Sequence, residues 1–132
     1  LLAHPRLRSV AEGLGLTAQV AGSDLHWCDP LPYPQLVRAV MGARGVITDS
    51  GGLQKEAFLL RIPCTTVRTE TEWTETVDLG WNVLVAPGPK MADAALRPTP
   101  APTTATPYGD GHAAQRVAQT LRAAAIEGTD IQ

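Results

Sequence analysis

The sequence predicts an α/β fold built on a Rossmann-like, doubly wound parallel sheet. Short segments rich in β-branched residues, such as Val46–Thr48, have no alternating polar face. Such segments are typical of parallel strands that are covered on both sides. They alternate with stretches in which apolar residues recur at helical spacing, and a β-α-β-α-β order along the chain favours this class.

The first third of the chain is predicted to contain two strands and two helices. Leu1–Ala3 is expected to be the end of a buried strand, Arg6–Leu14 a short helix, and Leu25–Cys28 a second short strand. A second helix is expected to follow a proline-rich turn, with Pro34 in its first turn. Its apolar stripe consists of Leu36, Val37, Val40 and Met41.

The middle of the chain alternates strands and helices in a regular way. Glycine residues punctuate the segments, and apolar runs of strand length follow helical patterns. The predicted elements are the strand Val46–Thr48, a helix from Gly51 to Leu60, the strand Ile62–Val67, a helical turn over Glu72–Leu79, and the strand Asn82–Val85.

The last part of the chain is predicted to be a connector followed by a helix. Residues 98–107 contain four prolines and no charge, which favours an extended segment without a packed core. A final helix is expected over 110–126, with Asp110 as its N-cap. The apolar line of this helix consists of Ala114, Val117, Ala118, Leu121 and Ala125.

Length and composition restrict the possible function. The 132 residues suffice for one domain, and 44% of them are hydrophobic. The net charge of −2 provides no basic surface, so nucleic acid is not an expected partner. No apolar run approaches the roughly 20 residues that span a bilayer. Charged residues make up 18% of the chain, below the usual quarter, which suggests that part of the surface is covered by a partner.

The cysteines and the first residues suggest where the protein resides. Cys28 and Cys64 lie in apolar surroundings, so we expect two reduced, buried thiols rather than a disulfide, and a cytoplasmic location. The chain begins within an apparent strand and without Met. The sequence therefore reads as a piece of a longer polypeptide.

The stretch VITDSGGLQKEA, residues 46–57, contains the strongest functional signal. Ligands of open parallel sheets bind at the carboxyl ends of the strands, where Val46–Thr48 ends. Ser50 is placed as the N-cap of the following helix, and Gly51 and Gly52 have no Cβ atoms to keep a ligand away. The free N–H groups and the positive dipole at this helix end attract phosphate.

Glu56 lies nearly two turns further along the same helix. A carboxylate at that distance from a phosphate could accept hydrogen bonds from ribose hydroxyls. The spacing therefore suggests a nucleotide with its phosphate at the helix tip and its sugar along the helix side. From this window alone, an ordinary capped turn between a strand and a helix explains the residues equally well.

Further motifs connect the chain to a known family. The segments PLPY (30–33), ITDSGGLQKEA (47–57), VRTETEWTETVDLGWNVLV (67–85) and PYGDG (107–111) occur in this order. In these motifs the chain resembles the C-terminal domain of non-hydrolysing UDP-N-acetylglucosamine 2-epimerases, over about residues 1–87 and 107–126. The resemblance implies the C-terminal half of a GT-B fold that lacks its first strand, with residues 1–132 forming a partial nucleotide-sugar-binding domain.

The resemblance also implies roles for individual residues. Ser50, Gly51 and Gly52 would hold the UDP phosphates, and Glu56 would hold the ribose. A further pair of contacts is implied near the uracil and in the cleft, at Leu36 and Arg68. The family block Thr-Glu-Arg-Pro-Glu reads Thr-Glu-Trp-Thr-Glu here, so Trp73 replaces a cationic residue. A TEW block resembles branches that act on other UDP-sugars, including diacetamido uronic acids.

The family inverts C2 of its sugar by eliminating UDP and adding it back, without a metal or other cofactor. The resemblance implies that the acid and base residues precede Leu1, so the catalytic residues of this chain are unknown and Glu72 is its one candidate. The implied partners are a UDP-sugar, a missing N-terminal domain and, at full length, a second copy in a homodimer. The chain alone is expected to be inactive.

Two further hypotheses remain open at this stage. A GT-B glycosyltransferase also presents two glycines and an acid to a nucleotide, and an acceptor-dependent assay would distinguish it. A non-catalytic UDP-binding subunit that completes a partner would have the same site but no activity of its own.

Overall fold

The structure, a computed structural model, describes residues 1–127. The described part contains three strands and seven helices in a mostly alternating order. They are α1 (Pro5–Gly13), α2 (Thr17–Ala21), α3 (Tyr33–Met41), β1 (Val46–Thr48), α4 (Gly51–Leu59), β2 (Cys64–Thr66), α5 (Thr74–Asp78), β3 (Asn82–Leu84), α6 (Lys90–Ala95) and α7 (Ala113–Glu127).

The three strands form one parallel sheet in the order β1-β2-β3, which confirms the predicted class. The register pairs Ile47 with Thr65 and Thr65 with Val83. All three residues of β2 are buried, as expected for a strand covered on both sides. For β1 the same expectation is wrong, because β1 lies at one edge of this sheet and Ile47 is 55% exposed.

The two strands predicted near the N-terminus are reduced to a single parallel bridge between Leu2 and Cys28. The Ala3 N–H donates to the Cys28 carbonyl at 2.8 Å, and the Cys28 N–H donates to the Leu1 carbonyl at 2.9 Å. Pro5 follows immediately and has no N–H to extend the ladder. The prediction of two buried thiols is therefore half wrong. Both cysteines are free and Cys64 is buried, but Cys28 lies exposed beside this short pairing.

The predicted helices and strands of the middle region are present, with bounds that shift by up to two residues. The structure also contains two helices that the sequence did not predict, α2 and α6. Each has only five or six residues and buries none of them, so neither shows a long amphipathic pattern. Residues 98–106 form no helix or strand.

Two arginines fix the loops around the sheet. Arg61 has a left-handed backbone with φ of 58°, and its guanidinium lies 4.6 Å from the Phe58 ring centroid while donating to the Ala105 carbonyl at 3.1 Å. Arg97 donates to the carbonyls of Cys64 and Trp81 at 2.8 and 3.1 Å, where β2 and β3 begin. The contacts of Arg61 tie the proline-rich segment to α4. Those of Arg97 tie the end of α6 to the sheet.

The last helix buries little of its surface against the rest of the described residues. Its side chains from Ala113 to Ala125 are exposed, including Val117 at 58% and Leu121 at 65%. The expected N-cap role of Asp110 is wrong, because the helix begins three residues later. Asp110 instead accepts from the His112 N–H at 3.1 Å and pairs with Arg116, which fastens the turn before the helix.

Candidate functional site

The amino end of α4 lies directly after β1, as the sequence predicts. Ser50 occupies the N-cap position with extended backbone angles, φ −78° and ψ 126°. Its side chain makes no capping hydrogen bond to α4, and its own N–H donates to Thr48 Oγ1 at 3.0 Å. The first amides of α4 are therefore not capped by a side chain, which leaves the positive helix end suited to an anion.

The two glycines of α4 have different surroundings. A Cβ atom on Gly52 would meet nothing within 4 Å, so Gly52 opens onto free space. A Cβ on Gly51 would overlap Glu72 Oε1 and would lie 3.7 Å from Trp73 Nε1. Only Gly52 thus fits the expectation that a missing side chain admits a ligand, whereas Gly51 makes room for the Glu72 carboxylate.

The segment after β2 brings Arg68 and Glu72 to the same end of α4. Arg68 Nη1 donates to Glu72 Oε2 at 3.3 Å, and the two side chains are 38% and 54% exposed. An ion pair this accessible to water contributes little stability. Its position matters more, since Glu72 Oε1 lies against Gly51 and its pairing with Arg68 holds a guanidinium near the uncapped helix end.

Glu56 lies further along α4 and faces the start of α3. Its carboxylate raises the pKa of the Tyr33 hydroxyl through charge repulsion and a hydrogen bond. The Leu36 N–H already donates to the Pro32 carbonyl at 3.0 Å. A base beside Leu36 would therefore have to use another group of that residue. Tyr33 was missed as a site residue, although it ends the quoted PLPY segment.

A cation lies next to Trp73, although Trp73 itself replaces a cationic residue of the family block. The Lys55 ammonium lies 4.6 Å from the Trp73 ring centroid and 5.4 Å from that of Tyr108. The two rings meet edge to face at 5.6 Å, and Tyr108 also meets Phe58 at 5.8 Å. The PYGDG segment is thereby fixed against α4, and a lysine that no sequence argument singled out stands next to Trp73.

A cavity of about 430 Å³ lies elsewhere in the molecule. It is bounded by residues of α1, α2 and the segment 25–27, with Arg8, Glu12 and Trp27 in its wall. None of the α4 residues lines it. The predicted site is thus an open surface at a helix end rather than a deep cleft within this chain.

Residues 1–127 provide neither a cluster of metal ligands nor a helix that could span a bilayer. No set of three or more His, Cys, Asp or Glu side chains in this range is arranged to hold a metal ion. No helix in the same range has the length and apolar character needed to cross a bilayer.

Comparison with known proteins assigns the family. Residues 1–122 match the profile of the family described as UDP-N-acetylglucosamine 2-epimerase. The chain belongs to this family. The match covers the bridge at Leu2, the whole sheet and most of α7, so the family assignment includes every element that forms the site.

Similar proteins are found in archaea and bacteria. The chain is 36% identical over 122 residues to a UDP-N-acetylglucosamine 2-epimerase homolog of Methanococcus maripaludis, covering 90% of this chain and 34% of that protein. It is 40% identical over 121 residues to the UDP-2,3-diacetamido-2,3-dideoxy-D-glucuronate 2-epimerase of Pseudomonas aeruginosa, covering 89% and 33%. The chain therefore spans about a third of the length of the relatives it matches.

Solved structures have the same fold. The UDP-GlcNAc 2-epimerase of Methanocaldococcus jannaschii superposes with a TM-score of 0.79 at 29% identity, covering 92% of this chain and 34% of the enzyme. A structure of that enzyme in complex with UDP-GlcNAc and UDP superposes with a TM-score of 0.77 at 28% identity, with the same coverage. These relatives are isomerases of GT-B type, and this chain corresponds to part of such an enzyme.

Proposed function

We propose that this chain holds the UDP part of a UDP-sugar within a non-hydrolysing 2-epimerase. The carrying observation is the amino end of α4, where uncapped amides and the open face of Gly52 lie beside the Arg68–Glu72 ion pair. A diphosphate carries charge that suits both the helix end and the guanidinium. In the proposed arrangement Ser50, Gly51 and Gly52 contact the phosphates.

The remaining contacts follow the direction of α4. Glu56 accepts hydrogen bonds from the ribose, and the uracil lies against the start of α3 near Leu36. The Glu56 carboxylate raises the pKa of the Tyr33 hydroxyl, so it lies close to the start of α3, and this closeness supports the arrangement. A nucleoside would then bridge α4 and α3, with its phosphates at Gly52.

In the proposed reaction a base removes the proton at C2 of the sugar while the C1–O bond to UDP breaks. The product is an unsaturated sugar, and UDP adds back as a proton is delivered to the opposite face of C2. This chain contributes the binding of the departing diphosphate, whose negative charge grows in the transition state. The acid and base groups belong to an N-terminal domain that completes the cleft.

The nucleotide proposal is tested by titrating the chain with UDP and with uridine, using ligand-observed NMR because weak binding is expected from a single domain. UDP should bind at least about tenfold more tightly than uridine, the order of one charge-assisted contact. Equal affinities for UDP and uridine would contradict the proposal that the diphosphate binds at the amino end of α4. Incubation of the chain alone with UDP-GlcNAc should produce no epimer.

A second substrate is supported by a specific feature. The relative at 40% identity is named for a diacetamido glucuronate, and Lys55 places an ammonium beside Trp73. A uronic acid carries a carboxylate that a lysine can pair with. Assaying the complete enzyme with UDP-GlcNAc and with the diacetamido glucuronate, each with and without an acceptor, distinguishes these substrates from glycosyl transfer.

The proposed setting is a cytoplasmic homodimer of the complete enzyme. Such a location agrees with two free cysteines. Sedimentation of the complete enzyme at several concentrations measures the assembly, and fractionation of cells measures the location. A UDP-binding subunit without activity would instead remain inactive when it is joined to the N-terminal domain.

A further inference from the structure

Gln54 is a fully buried polar residue on the face of α4 that packs toward the sheet. Its Oε1 accepts two hydrogen bonds, from Thr71 Oγ1 at 2.6 Å and from Asn82 Nδ2 at 3.0 Å. Its Nε2 is buried and has no hydrogen-bond partner among the described residues. An apolar side chain of similar volume would remove the unpaired Nε2, but it would leave the Thr71 hydroxyl and one Asn82 N–H without their acceptor.

The Thr71 contact fixes the segment 68–73 to α4. Besides donating to Gln54, Thr71 Oγ1 accepts the Trp73 N–H at 3.1 Å. The Trp73 carbonyl in turn accepts from Thr76 Oγ1 at 2.7 Å. Both backbone polar groups of Trp73 are therefore held, and the position of Glu72 between Thr71 and Trp73 is determined by these bonds.

The other end of the network is anchored in the sheet. Asn82, at the start of β3, also donates to Thr76 Oγ1 at 3.2 Å, and its Oδ1 accepts from Thr66 Oγ1 at 2.7 Å. Gln54, Thr66, Thr76 and Asn82 are each at most 1% exposed. The segment 68–73 is thus attached to α4 and to the sheet through a chain of largely buried hydrogen bonds, in which Gln54 Oε1 is the shared acceptor.

The segment carries the ion pair that lies at the amino end of α4. Arg68 begins it, and Glu72 reaches back to pair with Arg68 beside Gly51. Arg68 itself is partly exposed, and Glu72 is the one side chain among the described residues that pairs with it. The placement of the guanidinium at the end of α4 therefore depends on where the segment is held.

We propose that Gln54 and Thr71 are positioning residues that set the Arg68 guanidinium at the diphosphate site. The inference rests on the proposed function and deepens it, because it names a hydrogen bond away from the ligand on which phosphate affinity depends. Gln54 contacts no phosphate in this arrangement. Its effect passes through Thr71 and the segment 68–73.

The test compares Thr71→Val, which keeps the shape and removes the hydroxyl, with Thr71→Ser, which keeps the hydroxyl. Thr69→Val is the matched control, since Thr69 is exposed in the same segment. UDP and uridine affinities are measured by ligand-observed NMR for the 132-residue chain and for each variant, together with its melting temperature. Gln54→Leu is the second variant, with intact folding checked by circular dichroism.

Thr71→Val should weaken UDP by about tenfold and leave uridine within about twofold, while Thr71→Ser and Thr69→Val retain the affinity for UDP. A merely structural role would lower the melting temperature without changing the ratio of the two affinities, and that result would overturn the proposal. If the unmodified chain binds UDP no better than uridine, the diphosphate site itself is wrong. If it prefers UDP and Thr71→Val keeps the preference, only the positioning role is wrong.

Discussion

Adjacent glycines at the start of α4 provide a paired test of the site. We consider Gly52→Ala and Gly51→Ala, which add the same methyl group one residue apart. Neither glycine has a positive φ, so alanine is compatible with both backbones. Gly13→Ala is the control, because Gly13 ends α1 and a Cβ there meets nothing within 4 Å.

The expected stabilities differ because the surroundings differ. At Gly52 the new methyl group is unobstructed, and exchanging glycine for alanine in a helix should stabilise the fold by about 0.5–1 kcal/mol. At Gly51 the methyl group displaces the Glu72 carboxylate and separates it from Arg68. Loss of an exposed ion pair costs about 0.2–1 kcal/mol, so the two effects nearly cancel.

The variant expected to be the more stable, Gly52→Ala, is also the one expected to bind UDP more weakly. A methyl group on Gly52 occupies the open space through which a phosphate would approach the α4 amides, so UDP affinity should fall about tenfold with little change for uridine. Urea unfolding and UDP titration of the three variants measure both quantities. If Gly52→Ala binds UDP as tightly as the unmodified chain, the phosphate does not lie at α4. If Gly51→Ala is as stable as Gly52→Ala, Glu72 does not lie against Gly51.

Three further predictions concern the sheet and its cysteines. Arg97→Met removes the charged donor that holds the Cys64 and Trp81 carbonyls. It should destabilise the fold by about 2–4 kcal/mol in urea, and a loss below about 0.5 kcal/mol would contradict its anchoring role. A thiol reagent should modify exposed Cys28 at once and Cys64 only as the protein unfolds, because burial raises the pKa of the Cys64 thiol; equal rates would show that Cys64 is accessible. In the unfolded chain the Cys64 thiol ionises near its ordinary pKa of 9.0, whereas in the folded protein its pKa is higher. The free energy of unfolding should therefore fall as the pH rises above 9.0, and Cys64→Ala should reduce this dependence on pH.

The region from β1 into α4 could be predicted from the sequence because its signals are local. Val46–Thr48 was predicted with the bounds that the structure has, and α4 begins at the expected Gly51. A short β-branched run, a residue with N-cap character and a glycine pair all lie within seven positions. Backbone preferences of neighbouring residues are sufficient for such a boundary.

The short helices α2 and α6 could not be predicted in this way. A helix of five or six residues has too few positions to show periodicity, and it depends on tertiary contacts for its stability. The exposure of Ile47 was missed for a related reason. Its apolar character predicts a strand, but whether a strand lies at the edge of a sheet depends on pairing that is distant in sequence.

Contacts between distant residues also hid parts of the site. The Gln54 side chain meets Thr71 and Asn82 across 17 and 28 residues of sequence. The Lys55 ammonium meets an aromatic ring 18 positions away, at Trp73. Each residue has an ordinary helical or loop character in the sequence, and only the fold brings the partners together.

The place of Trp73 gives the chain a built-in optical signal. Its indole lies against the first turn of α4 and beneath the Lys55 ammonium, both of which influence the excited state of the ring. Trp81 is only 4% exposed and lies in the core, so its emission should report unfolding instead. A nucleotide that binds at the amino end of α4 should therefore change the emission maximum and intensity of Trp73. Nucleotide binding could then be followed by intrinsic fluorescence, without an attached dye.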